Sequence, residues 1–440
     1  MTIPLSPRIE AFRQAAITHP QAATEDLRQA LRSAGGPLIE PLDGERVLVT
    51  FVWIGAARRV AVRGAQIFPG LMVPAHALTR VPGTEVWWVS TPTRSDVTTV
   101  YQYLVDEPEP EPSGVPDASG DPSSALRAQL PSMRADPLNP RRIYSQAALI
   151  AGAYGEPEER WESVLDLPRA EPCPWFEEKG APAGTLTEHR LVSKLLGNER
   201  TVTVWTPPGD ARAREGSPLC VMLDGECWLR VARMPLGLDN LTAARGFNPP
   251  VVAFVHNPPS PTPVLSRTRE SACNPLLAEM LADELLPLLR EHYSLTEDPS
   301  LRLLAGNSYT GLAAAHTALL HPHAYGAVMA TSGSFWWGYA NHPAAHFLLG
   351  KDEEPEWLTR LYADAPRVPV RFWLDVGVLE AGTYVPWIPG VDPRACVRHF
   401  RTVLRAKGNE VLYHESAGGH EFATFRRSVI QGLRALLPPT

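Results

Sequence analysis

Ser308 stands where a buried strand should turn sharply into a helix. The heptapeptide Gly306-Asn307-Ser308-Tyr309-Thr310-Gly311-Leu312 follows the apolar run Leu301 to Ala305 and precedes Ala313-Ala314-Ala315. Small residues let such a turn tighten, which pushes a serine hydroxyl outward and aims the next N–H, that of Tyr309, at a developing oxyanion. The chemistry implied is nucleophilic attack on a carbonyl, hence hydrolysis through an acyl-enzyme. The general G-x-S-x-G pattern has glycine where this chain has Thr310, and Gly311 comes one place later. The bland alternative is a small-residue strand-to-helix turn without chemistry.

A serine hydroxyl needs a base within hydrogen-bond reach, and the base needs an acid that holds its tautomer and stabilises its charge. In the α/β-hydrolase class these follow in the order Ser, acid, His. The chain offers that order. Gly418-Gly419-His420 follows the last expected strand and makes His420 the base, while Leu374-Asp375-Val376-Gly377-Val378-Leu379-Glu380 supplies the acid. Glu380 is the first choice because it lies in the loop beyond the strand. Asp375 is the rival, its other role being a carboxylate at the sheet edge with local hydrogen bonds. A second oxyanion donor is expected from Leu223-Asp224-Gly225-Glu226-Cys227-Trp228, through the N–H of Gly225 or Glu226. Asp224 itself reads as a turn former or helix N-cap.

The elements that must position these residues are legible as pattern. From Thr185 onward, strand candidates fall at Thr185 to Val192, Thr201 to Trp205, Leu219 to Leu223, Val251 to Val255, Arg302 to Ala305, Gly326 to Ala330, Val370 to Val376 and Val411 to Glu415. Helical spacing appears over Pro275 to Tyr293, Tyr309 to Leu320 and Pro393 to Lys407. Two antiparallel strands followed by β-turn-α units predict an α/β-hydrolase domain over 185–440. Upstream, residues Pro7 to Ala34 read as helical. Short β-branched and aromatic runs from Val47 to Leu104, divided by Gly/Pro turns, predict a small immunoglobulin-like β-sandwich within a first domain of residues 1–145. An acidic Pro/Ser-rich insert at 106–124 and a linker at 146–184 complete the expected plan.

Composition limits the classes. The chain has 440 residues, 44% of them hydrophobic and 20% charged, as expected of a globular protein with sizeable cores. A net charge of -7 with no long basic run argues against nucleic acid as partner. No apolar segment long enough for a membrane span or a secretory leader is visible, so no membrane partner is expected. Five scattered cysteines without a C-x-x-C pair read as thiols in a reducing, cytoplasmic setting. His321-Pro322-His323 reads as a helix end rather than a metal site, and no metal ligands are expected.

The catalytic half resembles the enterobactin (enterochelin) esterase family of ferric-siderophore hydrolases. The likeness rests on Leu223-Asp224-Gly225, Arg267-Thr268-Arg269-Glu270-Ser271-Ala272-Cys273-Asn274, Gly306-Asn307-Ser308, Ser332-Gly333-Ser334-Phe335-Trp336-Trp337 and Gly418-Gly419-His420. Asp136-Pro137-Leu138-Asn139-Pro140 is similar to that family's interdomain motif. The resemblance implies a two-domain serine esterase cleaving a cyclic tri-serine lactone that carries three catechols, with Ser308 as nucleophile, His420 as base and Glu380 as the acid. Iron then arrives with the siderophore, and no cofactor is called for. An anionic ferric tris-catecholate needs cations, which makes Arg267 and Arg269 candidates, expected in the loop after Val251 to Val255. One of them could instead pair with Glu270. Trp228, Trp336 and Trp337 are candidate flat surfaces for the rings. Departures from the family pattern are Thr310 and Leu379, the latter where a basic residue is expected. A homodimer is the assembly left open. The competing readings are a general or feruloyl-type carboxylesterase of the same fold and a non-catalytic binding relic.

Overall fold

Helix formation begins where Ser6 accepts the Ile9 N–H and Pro7 presets the first turn. The expected N-terminal helix is two, Pro7–Thr18 and Pro20–Ala34, because Pro20 cannot continue the first and starts the second. Their buried Ile9, Phe12, Leu27 and Leu31 join Leu38, Val52 and Val86 in one core cluster. The computed structural model describes residues 5–64, 67, 75–106, 127–150, 161–209, 216–244, 246–338, 354–381 and 391–437. The acidic insert, beyond Asp106, lies outside them, as do residues 382–390. The described residues form two compact units.

The first unit holds β1 (Leu38–Pro41), β2 (Arg46–Ile54), β3 (Val60–Arg63), β4 (His76–Ala77), β5 (Thr79–Arg80), β6 (Val86–Arg94), β7 (Thr98–Val105), β8 (Met133–Arg134), β9 (Arg142–Tyr144) and β10 (Trp161–Asp166). They make a four-stranded sheet, β1-β2-β6-β5, and a second sheet, β4-β3-β7-β10-β9, with β8 on β7; every pairing is antiparallel. The passage expected as a linker is corrected here. Residues to Pro172 belong to this unit, because β10 fills the place between β7 and β9 and buries Val164 and Leu165. Asp136 and Asn139 of the Asp136 to Pro140 motif are buried beside it. The Tyr101 hydroxyl donates to Asp136 Oδ2 at 2.7 Å, and Asn139 Nδ2 donates to the Val164 carbonyl at 2.9 Å.

A short chain segment, Ala417–Ala423, also belongs to the first unit. The Thr98 N–H donates to the Ala417 carbonyl at 3.0 Å, and the Val100 N–H donates to Glu421 Oε2 at 3.2 Å. Glu421 is buried, so β7 supplies a fixed partner for its carboxylate.

The second unit is built on an eight-stranded sheet: β11 (Thr185–Ser193), β12 (Asn198–Thr206), β13 (Leu219–Leu223), β14 (Val251–Val255), β15 (Arg302–Asn307), β16 (Ala327–Thr331), β17 (Arg371–Gly377) and β18 (Val411–Ser416), in the order β11-β12-β14-β13-β15-β16-β17-β18. β11 and β12 pair antiparallel, β12 meets β14 antiparallel, and β14 to β18 run parallel. Every residue of β13 and β14 is buried, as expected of parallel strands covered on both faces. Asp392 caps the helix Pro393–Ala406, whose Val397, Phe400 and Leu404 are buried at helical spacing. The helix expected over Pro275 to Tyr293 contains a π-helical stretch, Met280–Leu285, just before Pro287, which has no N–H to donate. No described helix is long and apolar enough to cross a membrane. Parallel strands put their carboxyl ends on one edge, and the candidate residues of this unit follow those ends.

Candidate active site

Ser308 joins β15 to the helix Tyr309–Leu320 with φ 57° and ψ -125°. A residue with a Cβ holds such a backbone only at a cost of about 1–3 kcal/mol, so its surroundings must enforce it. The Ser308 N–H donates to the Thr331 carbonyl at 3.1 Å, and the Ser308 carbonyl accepts from Ser334 at 3.0 Å. A side chain on Gly306 would stand 2.4 Å from the Thr310 carbonyl group, so only glycine fits. A Cβ on Gly311 would lie 3.2 Å from the Gly306 carbonyl oxygen and from Gly333 Cα. The close approach that the second motif glycine usually permits therefore falls partly on Gly311. Thr310, in the expected glycine position, is buried with its hydroxyl on Asn307 and Asp224. Ser308 Oγ lies 3.4 Å from Ser334 Oγ. Tyr309 opens the helix, so its N–H belongs to the positive end of the helix dipole.

Asp224 is a turn residue at φ 64°, and its carbonyl accepts from Cys227 and Trp228 at 2.9 and 3.3 Å. Its carboxylate is buried. Arg267 donates to it through Nε at 2.7 Å and Nη2 at 2.6 Å, Asn257 Nδ2 at 3.0 Å and Thr310 Oγ1 at 2.9 Å. Burial works to raise the Asp224 carboxyl pKa, but the Arg267 charge and these hydrogen bonds hold it below the ordinary value. Arg267 and Arg269 lie on the helix Pro263–Ser271 rather than in a loop, which corrects the expectation. Arg267 is committed to Asp224. Glu270 pairs with neither; it accepts from Arg200 Nη1 and Nη2 at 3.0 Å each, and from Asn198. Arg269 is exposed.

Glu226 follows Gly225 in the turn, with its carboxyl 3.6 Å from His256 Nδ1. Burial pushes the Glu226 carboxyl up to about 7, against hydrogen bonds from its own N–H and that of Asn257. Burial pushes His256 down to about 4. Between those values a neutral acid faces a neutral imidazole whose Nε2 lies 3.0 Å from Thr203 Oγ1. Gly225 is required sterically, since an added Cβ would meet the Phe254 carbonyl carbon at 2.8 Å.

The two candidate acids have different surroundings. Glu380 ends a short 3-10 turn, Val378–Glu380, directly after β17, and is fully buried. Its Oε1 accepts from Ser332 Oγ at 2.5 Å and from the Gly377 N–H at 2.9 Å. Asp375 lies inside β17, and both its oxygens face β18: Oδ1 accepts from the Ser416 N–H at 3.1 Å and meets His414 Nδ1 at 3.1 Å, while Oδ2 accepts from Ser416 Oγ at 2.7 Å. His420 lies in the segment that belongs to the first unit.

Of the aromatic candidates, Trp228 is fully buried and donates its indole N–H to the Leu223 carbonyl at 2.8 Å. That corrects its expected role, because no face is open to a ligand ring. Trp337 is buried and packs edge-on against Trp357 at 5.7 Å. Trp336 packs edge-on against Tyr309 at 5.8 Å, which brings it beside the Ser308 turn. His256 and Asn257 are not among the sequence candidates, and Ser332 and Ser334 enter there only as part of a motif, with no role. The signal for the first three was their place at the carboxyl ends of β14 and β16.

The family model "Putative esterase" matches residues 193–436, more than half of the chain. The chain belongs to this esterase family. A second model, "Enterochelin esterase, N-terminal", matches residues 48–176. This esterase is 28% identical to an iron(III) enterobactin esterase of Dickeya dadantii, over 96% of this chain and 94% of that one. It is 26% identical to an iron(III) enterobactin esterase of Escherichia coli K12, over 93% and 96%. The crystal structure of a ferric enterobactin esterase from Salmonella typhimurium aligns with a TM-score of 0.73 and 26% identity, covering 93% of this chain and 98% of that one. The esterase is thus a carboxylic ester hydrolase of the enterochelin esterase type, with a mixed α/β fold.

Proposed function

We propose that this esterase hydrolyses the ester bonds of a catecholate siderophore trilactone such as ferric enterobactin, with Ser308, His420 and Glu380 as its triad. The observation that carries the reading is Ser308 itself, held at φ 57° and ψ -125° between a parallel strand and a helix, in a chain matched along more than nine-tenths of its length by enterobactin esterases. The strand order of the second unit supports the α/β-hydrolase class, and the paired antiparallel sheets of the first support a β-sandwich.

Ser308 Oγ attacks a lactone carbonyl as His420 takes its proton. The N–H groups of Tyr309 and of Gly225 or Glu226 hold the oxyanion. Collapse breaks the C–O bond, and His420 protonates the departing seryl oxygen of the substrate. Water then attacks the acyl-enzyme with His420 again as base, releasing a carboxylic acid and free Ser308. Glu380 is the acid of choice because Asp375 is occupied by Ser416 and His414. Arg269 is the exposed cation for an anionic substrate, Arg267 being held by Asp224. Iron enters and leaves with the siderophore. This chemistry belongs in the cytoplasm, where five thiols can stay reduced.

The test is hydrolysis of ferric enterobactin, its iron-free form and p-nitrophenyl esters by the full chain and by Ser308→Ala. The variant is expected to lose roughly four to six orders of magnitude in turnover. Preference for simple esters over the trilactone would refute the substrate, and near-normal hydrolysis by the variant would refute the nucleophile.

A further inference from the structure

A threonine in the second glycine position of the nucleophile turn is the one residue that breaks the general motif, and its hydroxyl lies within hydrogen-bond distance of three polar atoms. Thr310 Oγ1 lies 3.0 Å from the Asn307 nitrogen, 2.8 Å from the Asn307 carbonyl oxygen and 2.9 Å from Asp224 Oδ2. The hydroxyl therefore accepts the Asn307 N–H and has its one proton for Asp224 or the Asn307 carbonyl. Arg267 Nη2, paired with Asp224, reaches the same Asn307 carbonyl at 3.5 Å. Asp224 in turn begins the Gly225-Glu226 turn and is itself held at φ 64°. The two turns follow neighbouring parallel strands, β13 and β15. One buried carboxylate thus fixes two left-handed-φ residues, Asp224 and, through Thr310 and Asn307, Ser308.

We propose that Thr310, anchored on Asp224, is a positioning residue that locks the nucleophile turn to the turn carrying the second oxyanion donor. The inference rests on Ser308 being the nucleophile. A hydroxyl can serve here because it accepts from the Asn307 N–H while donating its one proton to Asp224 or the Asn307 carbonyl. Glycine at 310 would leave Asp224 Oδ2 and the Asn307 N–H without that partner in a place closed to water, since Thr310 is 1% exposed. The close approach usually allowed by that glycine is met in part by Gly311, so position 310 can carry a side chain. Acylation depends on the distance between the Ser308 hydroxyl and the oxyanion donors, and this link sets it.

The experiment compares Thr310→Val, which keeps the shape and removes the hydroxyl, with Thr310→Ser, which keeps the hydroxyl. It reads kcat, KM, the rate of labelling by a fluorophosphonate probe, and the thermal midpoint of the full chain. Thr310→Val is expected to lose about 10- to 100-fold in both kcat and labelling rate, with KM changed by less than about two-fold. Thr310→Ser is expected to recover most of both rates. If valine prevents folding, Thr310→Gly, the residue of the general motif, makes the same comparison. Wild-type labelling and turnover in the valine or glycine variant would overturn the proposal, as would equal losses in valine and serine variants. A wild-type protein that the probe never labels would instead overturn the nucleophile assignment.

Discussion

Replacing Glu226 by glutamine tests whether the turn proposed to hold the oxyanion is tuned by a buried carboxyl. Burial moves this group from 4.5 to about 7, whereas the unfolded chain keeps it near the lower value. The folded state therefore holds a proton that the unfolded state has lost across that interval, and stability falls as pH rises through it. The contribution is fully present below about pH 4.5 and gone above about pH 7. The interval corresponds to roughly 3 kcal/mol as an upper limit, since the side chain is 20% exposed. Glu226→Gln removes the titration. Its thermal midpoint should match the wild type near pH 4.5 and exceed it by up to roughly 6–12 °C at pH 8 for a unit of this size. Activity should follow, because an ionised carboxylate competes for its own N–H and places negative charge beside the proposed oxyanion site. Wild-type kcat is expected to fall above pH 7, and that limb should disappear in the variant. Parallel midpoint-versus-pH curves for the two proteins between pH 5 and 8 would refute the reasoning.

The two carboxylates of β17 and its following turn should separate by readout. Glu380→Gln is expected to lower kcat by about 10³- to 10⁴-fold with the fold intact, while Asp375→Asn, which weakens the β17–β18 tie at Ser416, should act mainly on stability; the reverse pattern in kcat and thermal unfolding would exchange their roles. Glu421→Ala removes a buried acceptor of the Val100 N–H, and is expected to destabilise the first unit by about 1–3 kcal/mol. Because the segment carries His420, kcat should fall as well, measured at saturating substrate; unchanged turnover and unfolding would show that this anchor is dispensable.

Local pattern makes much of this protein readable in its sequence. The apolar runs that became β13 and β14, the helical spacing of Val397, Phe400 and Leu404, and the Gly306-Asn307-Ser308 turn are short-range features, and burial on one face or two dictates them directly. The order Ser308, Glu380, His420 is likewise a property of the linear chain. Tertiary structure decided which long-range partner each polar side chain met. Glu270 took Arg200 rather than a neighbouring arginine, and Arg267 took Asp224, 43 positions away. The indole of Trp228 turned inward to a carbonyl five residues back. β10 emerged from an apparent linker because β7 and β9 were there to pair with it on both sides. A buried charge or donor must find a partner, and several partners were chemically equivalent in sequence. Only the packed sheet, by placing the ends of β13 and β15 side by side, selected Asp224 for Thr310 and made the departure from the motif part of the site.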